Sequence, residues 1–291
     1  MLWTAVLVAS RLPEIVCRGF DIKAGVWIAP FYETLFLVGL AIIAAQLHKN
    51  KNLAGFILAT AALTFSWRII VPSIESSLVF VSASDHLSWG AQFFVLRAIR
   101  IVGALCLIAT LAGSGIGRRE LFLYPGNWQA PVKSDIVFRF RKPMSWTRFS
   151  LTLLVIFSLL LPPYLVWALD PQVDFIRRLW IAFPWALATS ALNAANEEFQ
   201  FRSVLLARLT SFVSVREAFL VIAVLFGISH YFGQPSGLGG MFLAGFAGWI
   251  WAKSMVETRG FACAFFMHFV LDMVIFCFLA MSATDLSSAW S

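Results

Sequence analysis

The sequence predicts an all-α fold, a polytopic membrane helical bundle of about eight transmembrane helices, or nine if the first segment also crosses. Three observations predict it. Of the 291 residues, 60% are hydrophobic, where an ordinary soluble domain has about 45–50%. The apolar residues come in blocks long enough to cross a bilayer, which takes roughly 20 helical residues. Most blocks also lack the polar face that a soluble helix needs.

Residues 1–17 form a short apolar run broken by Arg11, Pro13 and Glu14. Without a basic leader or a small-residue cleavage site, the run reads as a short first membrane segment or a surface helix. After a polar connector, residues 26–46 form a span containing Glu33. That carboxylate is costly in lipid unless it pairs within the protein or lies near the interface. Residues 54–74 follow. Trp67 and Arg68 near their end suit an interface, with the guanidinium snorkelling to water. Residues 75–89 are a polar connector in which His86 is a loop histidine. Residues 91–113 form the third clear span, with Arg97 and Arg100 in its first turns.

The segment 114–148 is the largest polar one. It carries Arg118, Arg119, Lys133, Arg139, Arg141, Lys142 and Arg148 against Glu120 and Asp135. A surface helix or loop touching anionic lipid accounts for it. Residues 149–168 form a span with Pro162 and Pro163 inside, where a kink is expected. Residues 179–209 are too long for one straight span, and Pro184 falls in its first turn or at a kink. Residues 218–232 and 238–252 are short spans, the second with Gly240, Ala244 and Gly248 on one close-packing face. Residues 261–281 are the last. The chain thus divides into N-terminal membrane helices over 1–178, including the basic loop 114–148, a core over 179–281, and a short polar tail over 282–291.

The net charge of +7 is distributed by side. The connectors at 47–53, 114–148, 208–216 and 253–259 are basic, and alternate crossings put them on one side, predicted to be cytoplasmic. The connectors at 75–90, 169–178 and 233–237 form the opposite set. Basic residues that flank apolar blocks, with no zinc-finger or basic-zipper signature, exclude nucleic acid as a partner. Cys17, Cys106, Cys263 and Cys277 contain no C-x-x-C, so neither a disulfide framework nor a zinc knuckle is indicated.

Polar residues inside the apolar blocks concentrate in three places. Asn196 to Arg202 brings Glu197, Glu198 and Arg202 into a chain with only 13% charged residues. Phe226-Gly-Ile-Ser-His230 and His268-Phe-Val-Leu-Asp272 follow. At about 1.5 Å per residue from the flanking turns, the Glu pair lies roughly 18 Å deep, His230 roughly 21 Å, and His268 and Asp272 roughly 12 and 18 Å. Glu198 and Arg202, four apart, share a helix face and suit a buried ion pair. Glu197 points about 100° away. His268 and Asp272 share a face, and Phe226 lies one turn before His230, where it can wall the imidazole. Two adjacent carboxylates, two histidines and a third carboxylate at one depth fit a buried hydrolytic site. Composition and spacing leave an ion or proton pathway and a structural polar network open as alternatives.

The three motifs, Glu197-Glu198-x-x-x-Arg202, Phe226-x-x-x-His230 and His268-x-x-x-Asp272, resemble in order those of the CPBP family. That family includes membrane-embedded CAAX prenyl endopeptidases and bacterial relatives linked to bacteriocin processing or immunity. The resemblance covers about residues 179–281, and Asp272 stands where the family often has Asn. It implies an intramembrane protease, multi-pass in the bacterial inner membrane, with a water-filled cavity open to the cytoplasm. By the resemblance, Glu197 is the general base that activates water and His230 positions that water. His268 and Asp272 lie by the scissile carbonyl and its developing oxyanion, while Glu198, Arg202 and Phe226 support the site. A protonated Asp272 can donate to an oxyanion; a charged one can only orient His268.

Zinc, if present, would take Glu197, His230 and His268 with water in the fourth position. No H-E-x-x-H is present, and the preferred reading is a glutamate-type mechanism that requires no cofactor. The expected partners are a membrane-associated protein or peptide substrate and the lipid bilayer. Two other readings compete: a non-catalytic membrane scaffold or bacteriocin-immunity-type protein, and a proton-coupled transporter. The transporter would favour an inverted repeat that the chain does not display. Nothing in the motifs specifies the substrate or the oligomeric state.

Overall fold

The computed structural model describes residues 1–22, 28–135, 137–140, 142–171 and 174–283. The first residues of the span expected from 26, Arg141 of the basic loop and the tail beyond 283 lie outside the described residues. Among the described residues the secondary structure is helical, apart from one isolated antiparallel bridge between Pro131 and Ser145. The first half holds α1 (Leu2–Ala9), α2 (Leu12–Gly19), α3 (Ile28–Gln46), α4 (Lys51–Phe65), a π-helical segment Ser66–Ile70, α5 (Val71–Glu75), α6 (Leu78–Ser84), α7 (Trp89–Ile99) and α8 (Ile101–Leu111). After the long connector come α9 (Trp146–Leu169), α10 (Phe175–Glu197), a second π-helical segment Glu198–Val204, α11 (Leu205–Leu209), α12 (Val215–Ser229), α13 (Gly237–Thr258) and α14 (Ala262–Ser282).

Local sequence sets several of the boundaries. Asn50, Ser77, Ser145 and Ser214 each cap a helix by accepting the backbone N–H three residues on, which satisfies one of the donors a helix start leaves over. Ser214 and Glu217 have the residue types and spacing of a capping box. Asp170 closes α9 in a left-handed conformation, φ 45°.

Among the described residues, five stretches are long and apolar enough to cross a membrane: Ile28–Gln46, Lys51–Glu75, Trp89–Leu111, Trp146–Leu169 and Ala262–Ser282. The expected count of about eight is not confirmed by these five. The other three expected spans exist as helices, but their composition differs. Asn, Thr, Ser and Trp dilute α10, glycines dilute α13, and α12 has 15 residues, roughly 22 Å against a hydrocarbon core of about 30 Å. Nor does the first segment cross as one helix. It is split into α1 and α2 of 8 residues each, roughly 12 Å apiece. Pro162 and Pro163 lie inside α9, and Pro184 lies inside α10, beyond its first turn. His86 sits in a turn, as expected.

The chain divides into two compact units, each assembled from separate stretches. The first comprises residues 1–74, 100–123 and 199–252. Within it α4 is the central helix, burying Phe56, Ile57, Ala59 and Leu63 and packing against α1, α3, α8 and α11. Arg68 is only 8% exposed, so it does not snorkel. It pairs with Glu33, and at 3.6 Å with Glu14, which also accounts for Glu33 inside a span. Arg11 and Arg18 in turn lie over the Phe232 ring, at 5.5 and 4.6 Å. These contacts gather α2, the start of α3, the end of the 51–75 span and the 230–236 loop, which alternate crossing assigns to one side. Asn52 likewise donates to the Ser211 carbonyl at 3.5 Å, joining two connectors assigned to the other side.

The two π-helical segments meet in this unit. Trp67 Nε1 donates to Gln200 Oε1 at 2.6 Å, and the rings of Trp67 and Phe201 meet edge to face at 5.8 Å. The close crossing of α12 and α13 is made by Gly227 and Gly245. A Cβ on Gly227 would stand 2.7 Å from the Met241 carbonyl oxygen. The expected small-residue face at 240, 244 and 248 is closely approached too, with Gly240 against Pro235 and Gly248 against Arg202 and Phe226 of α12.

The second unit comprises residues 75–99, 124–198 and 253–291, described to 283. Here α14 packs against α9 and α10, and α10 against α7. Small residues at 182, 186, 190 and 194 are buried along α10 and allow close helix approach. On α14 the buried positions 264, 268, 272, 276 and 280 recur every fourth residue, which is one helix face. Phe276 meets Phe93 at 4.9 Å, and Arg97 lies over both rings.

The later part of the basic connector is docked in the same unit. Lys253, 2% exposed, binds Asp135 Oδ2 at 2.9 Å, Glu257 Oε1 at 2.7 Å and the Lys133 carbonyl at 2.7 Å. Glu257 Oε2 accepts from Lys133 N and Trp146 Nε1, both at 3.0 Å. Gly126, with φ +79°, lies so close to Gly260 that a Cβ would be 2.8 Å from its Cα. Burial pushes the Asp135 carboxyl up, but the N–H groups of Phe138 and Val137 and the Lys253 ammonium together outweigh it and hold it below its ordinary value.

Candidate active site

The polar cluster of the second unit forms where α10 faces α14. Thr189, Asn193 and Glu197 recur at four-residue spacing on α10 and are all buried, so one face of the helix is polar along its last turns. Opposite them α14 presents His268 and Asp272, also buried. His268 Nδ1 lies 2.7 Å from Glu198 Oε1. His268 Nε2 faces the other two carboxylates, 3.5 Å from Asp272 Oδ2 and 3.8 Å from Glu197 Oε2. Asn193 Nδ2 donates to Glu197 Oε1 at 3.1 Å and to Asp272 Oδ2 at 3.0 Å. Three carboxylates, one imidazole and one carboxamide therefore share a water-poor volume. Such a set can take a proton, hold it and return it, which acid–base catalysis requires.

Of the residues read from the sequence, the structure brings Glu197, Glu198, His268 and Asp272 together in this unit. Asn193 was missed, although it lies one helical turn before Glu197 on the same face.

Arg202, Phe226 and His230 lie in the first unit. The Arg202 guanidinium sits 3.7 Å from the centroid of Phe226 and 4.9 Å from that of Trp251, a cation–π arrangement that favours a charge away from water. Gly248 makes room for it: a Cβ there would stand 3.1 Å from Arg202 Nη2 and 3.1 Å from Phe226 Cδ1. Phe226 walls His230 as its spacing predicts, with ring centroids 4.1 Å apart. His230 ends α12, and its Nδ1 lies 2.9 Å from the Phe226 carbonyl oxygen. A carbonyl only accepts, so Nδ1 carries the hydrogen and Nε2 is the acceptor of the neutral ring. Glu198 and Arg202 belong to different units, and each has the surroundings given for its own. The segment that joins them is π-helical from Glu198 to Val204, and π-helical turns are frequent at functional sites.

Among the described residues, no group of three or more His, Cys, Asp or Glu is arranged to hold a metal ion.

No curated protein and no solved structure matches the chain. The family model for type II CAAX prenyl endopeptidase, Rce1-like, matches residues 179–274. The match contains all three motifs and, in full, the polar cluster between α10 and α14. It also contains α12, α13 and most of α10, the helices too short or too polar to stand among the five membrane-crossing stretches. With those five stretches it supports a multi-pass membrane protein. Over residues 179–274 the chain is similar to the type II CAAX prenyl endopeptidases of the Rce1-like kind, as the three motifs indicate, and the likeness supports a CAAX protease-like peptidase.

Proposed function

We propose that the protein is an intramembrane endopeptidase that hydrolyses a peptide bond of a membrane-associated protein or peptide, with Glu197 as general base. The observation that carries the reading is the buried constellation of Glu197, Glu198, His268 and Asp272, which lies wholly within the family-matched segment. In the reaction, a water oxygen attacks the scissile carbonyl carbon while Glu197 takes one of its protons. The proton then passes to the leaving nitrogen as the C–N bond breaks. His268 and Asp272 face the developing oxyanion, with the His268 ring held by Glu198. By its place in the second motif, His230 is assigned the positioning of that water. Arg202, stacked on Phe226 and Trp251, braces its own segment.

In this reading Glu197 acts on water directly. A metal-dependent version would use Glu197, His230 and His268 as ligands, and metal analysis of the purified protein with chelator treatment separates the two. The membrane is the bacterial inner membrane, with the site open toward the cytoplasm. The family name makes a prenylated C-a-a-X peptide the first substrate to try; a leader or C-terminal sorting segment is the next class.

The test compares membrane proteomes of cells with and without the protein, then cells carrying Glu197→Gln. New peptide termini that depend on the wild type and vanish in Glu197→Gln support the reading. Full processing by a stable Glu197→Gln variant ends it.

A further inference from the structure

We infer that Asn193 is a positioning residue that gives the two oxygens of Glu197 different tasks and ties that carboxylate to Asp272 through one side chain. The inference rests on the peptidase reading above. Asn193 is 6% exposed, and its carboxamide nitrogen has two hydrogens. One goes to Glu197 Oε1 at 3.1 Å, on the same helix, and the other to Asp272 Oδ2 at 3.0 Å, on α14. Serine, threonine and a protonated aspartate each have one hydrogen to give, so none of them can serve both carboxylates. Glutamine has two, but its extra methylene would displace them within a packed interior.

The arrangement is asymmetric. Asn193 occupies Glu197 Oε1, while Oε2 is the oxygen turned toward His268 Nε2, at 3.8 Å. Oε2 is thus the oxygen that takes the proton from water, and Oε1 is the one that is held. On Asp272 the oxygen bound by Asn193, Oδ2, is also the one facing His268 Nε2, at 3.5 Å. A single amide therefore fixes both carboxylates about the same imidazole edge. A carboxamide does not titrate, so this placement persists while protons move among the carboxylates and the ring.

The test uses full-length protein in detergent with Asn193→Leu and Asn193→Asp, and Glu197→Gln and Asp272→Asn as references. Asn193→Leu keeps the branched shape, at a larger volume, and removes both donors. Asn193→Asp keeps the shape, adds a carboxyl and can donate once, only when protonated. The first readout needs no substrate: pH-difference infrared spectra, in which Glu197→Gln and Asp272→Asn each identify their own carboxyl band. Asn193→Leu is expected to move both bands. The second readout is cleavage of a synthetic, internally quenched peptide that spans a processing site identified by the proteome comparison. Asn193→Leu should lower kcat by about 10²-fold, the scale of a misplaced reacting group, and leave KM unchanged because Asn193 does not touch the substrate. Asn193→Asp should lose activity near neutral pH and regain part of it in acid, moving the optimum down by about one pH unit or more.

Unmoved bands, or a wild-type kcat and pH profile in both variants while Glu197→Gln is inactive, overturn the inference alone. Full activity of Glu197→Gln overturns the peptidase reading and the inference with it. If Asn193→Leu does not fold, the pH profile and bands of Asn193→Asp decide in the same way.

Discussion

The imidazole of His268 and the carboxylate of Glu198 meet at 2.7 Å, fully inside the protein and 70 residues apart in the chain. Glu198→Leu would leave a buried ring nitrogen without that acceptor, at a cost of about 1–3 kcal/mol. Glu198→Gln still accepts at the same point and should lose less. Thermal melting of the two variants in detergent gives the comparison, and equal losses would contradict the hydrogen bond as the stabilising element.

Glu197→Gln separates chemistry from architecture. As the proposed general base it should account for about 10²–10⁴-fold in turnover. Its amide still accepts from Asn193 through oxygen, so the melting temperature should change little. Failure to recover folded Glu197→Gln would favour a structural role for the cluster.

Gly248→Ala probes the stacked guanidinium. Its new methyl would stand 3.1 Å from Arg202 and 3.1 Å from Phe226, and neither neighbour can yield without leaving the stack. The expected loss is about 1–3 kcal/mol, the range for overpacking. Trp251→Leu should be destabilising too, through loss of a cation–π partner. A Gly248→Ala protein as stable as wild type would show that the stack gives way easily.

Asp135 predicts a pH dependence confined to the connector. Its carboxyl is held below the ordinary value in the folded protein. It therefore contributes stability that is complete above the unfolded-state value and fades as pH falls through the lower, folded one. Amide protection in the described residues of 131–145, taken relative to the unstructured rate at the same pH, should fall in acid, and Asp135→Asn should show the lower protection already at neutral pH. Lys253→Met should do more, because it removes the ammonium from both Asp135 and Glu257. An exchange rate in Asp135→Asn equal to wild type at neutral pH would remove the ion pair as the anchor.

The sidedness of the basic connector is testable directly. With the native cysteines replaced, Lys133→Cys and Lys142→Cys should resist an impermeant maleimide in intact cells and react after permeabilisation. Reaction in intact cells would invert the orientation.

The five membrane-crossing stretches were readable as long apolar runs, because length and hydropathy alone define them. The 179–209 stretch was readable as too long for one span, but not its π-helical turn, since no residue pattern marks where a helix takes an extra residue. For one reason, the burial of Arg68, and that of Lys253 at the start of a basic connector, was not readable. Each sits where an apolar block ends, which suggests an interface, and each is buried by acidic partners far away in the chain, Glu33 and Asp135. Only the fold makes such pairs. Asn193 carries no charge and stands outside the three motifs, yet its spacing of four from Glu197 is a signal visible in the sequence.

The clasp at Lys253 also has a consequence for the order of assembly. Lys133 binds Glu257 across 124 positions of sequence. Synthesis runs from the N-terminus, so the connector emerges, and α9 follows, well before Lys253, Glu257 and Gly260 exist. The connector must wait undocked through the making of four more helices. Its docking is a late event of biogenesis, and a ribosome stalled before α13 is complete should carry a nascent chain whose 124–145 stretch is still open to protease.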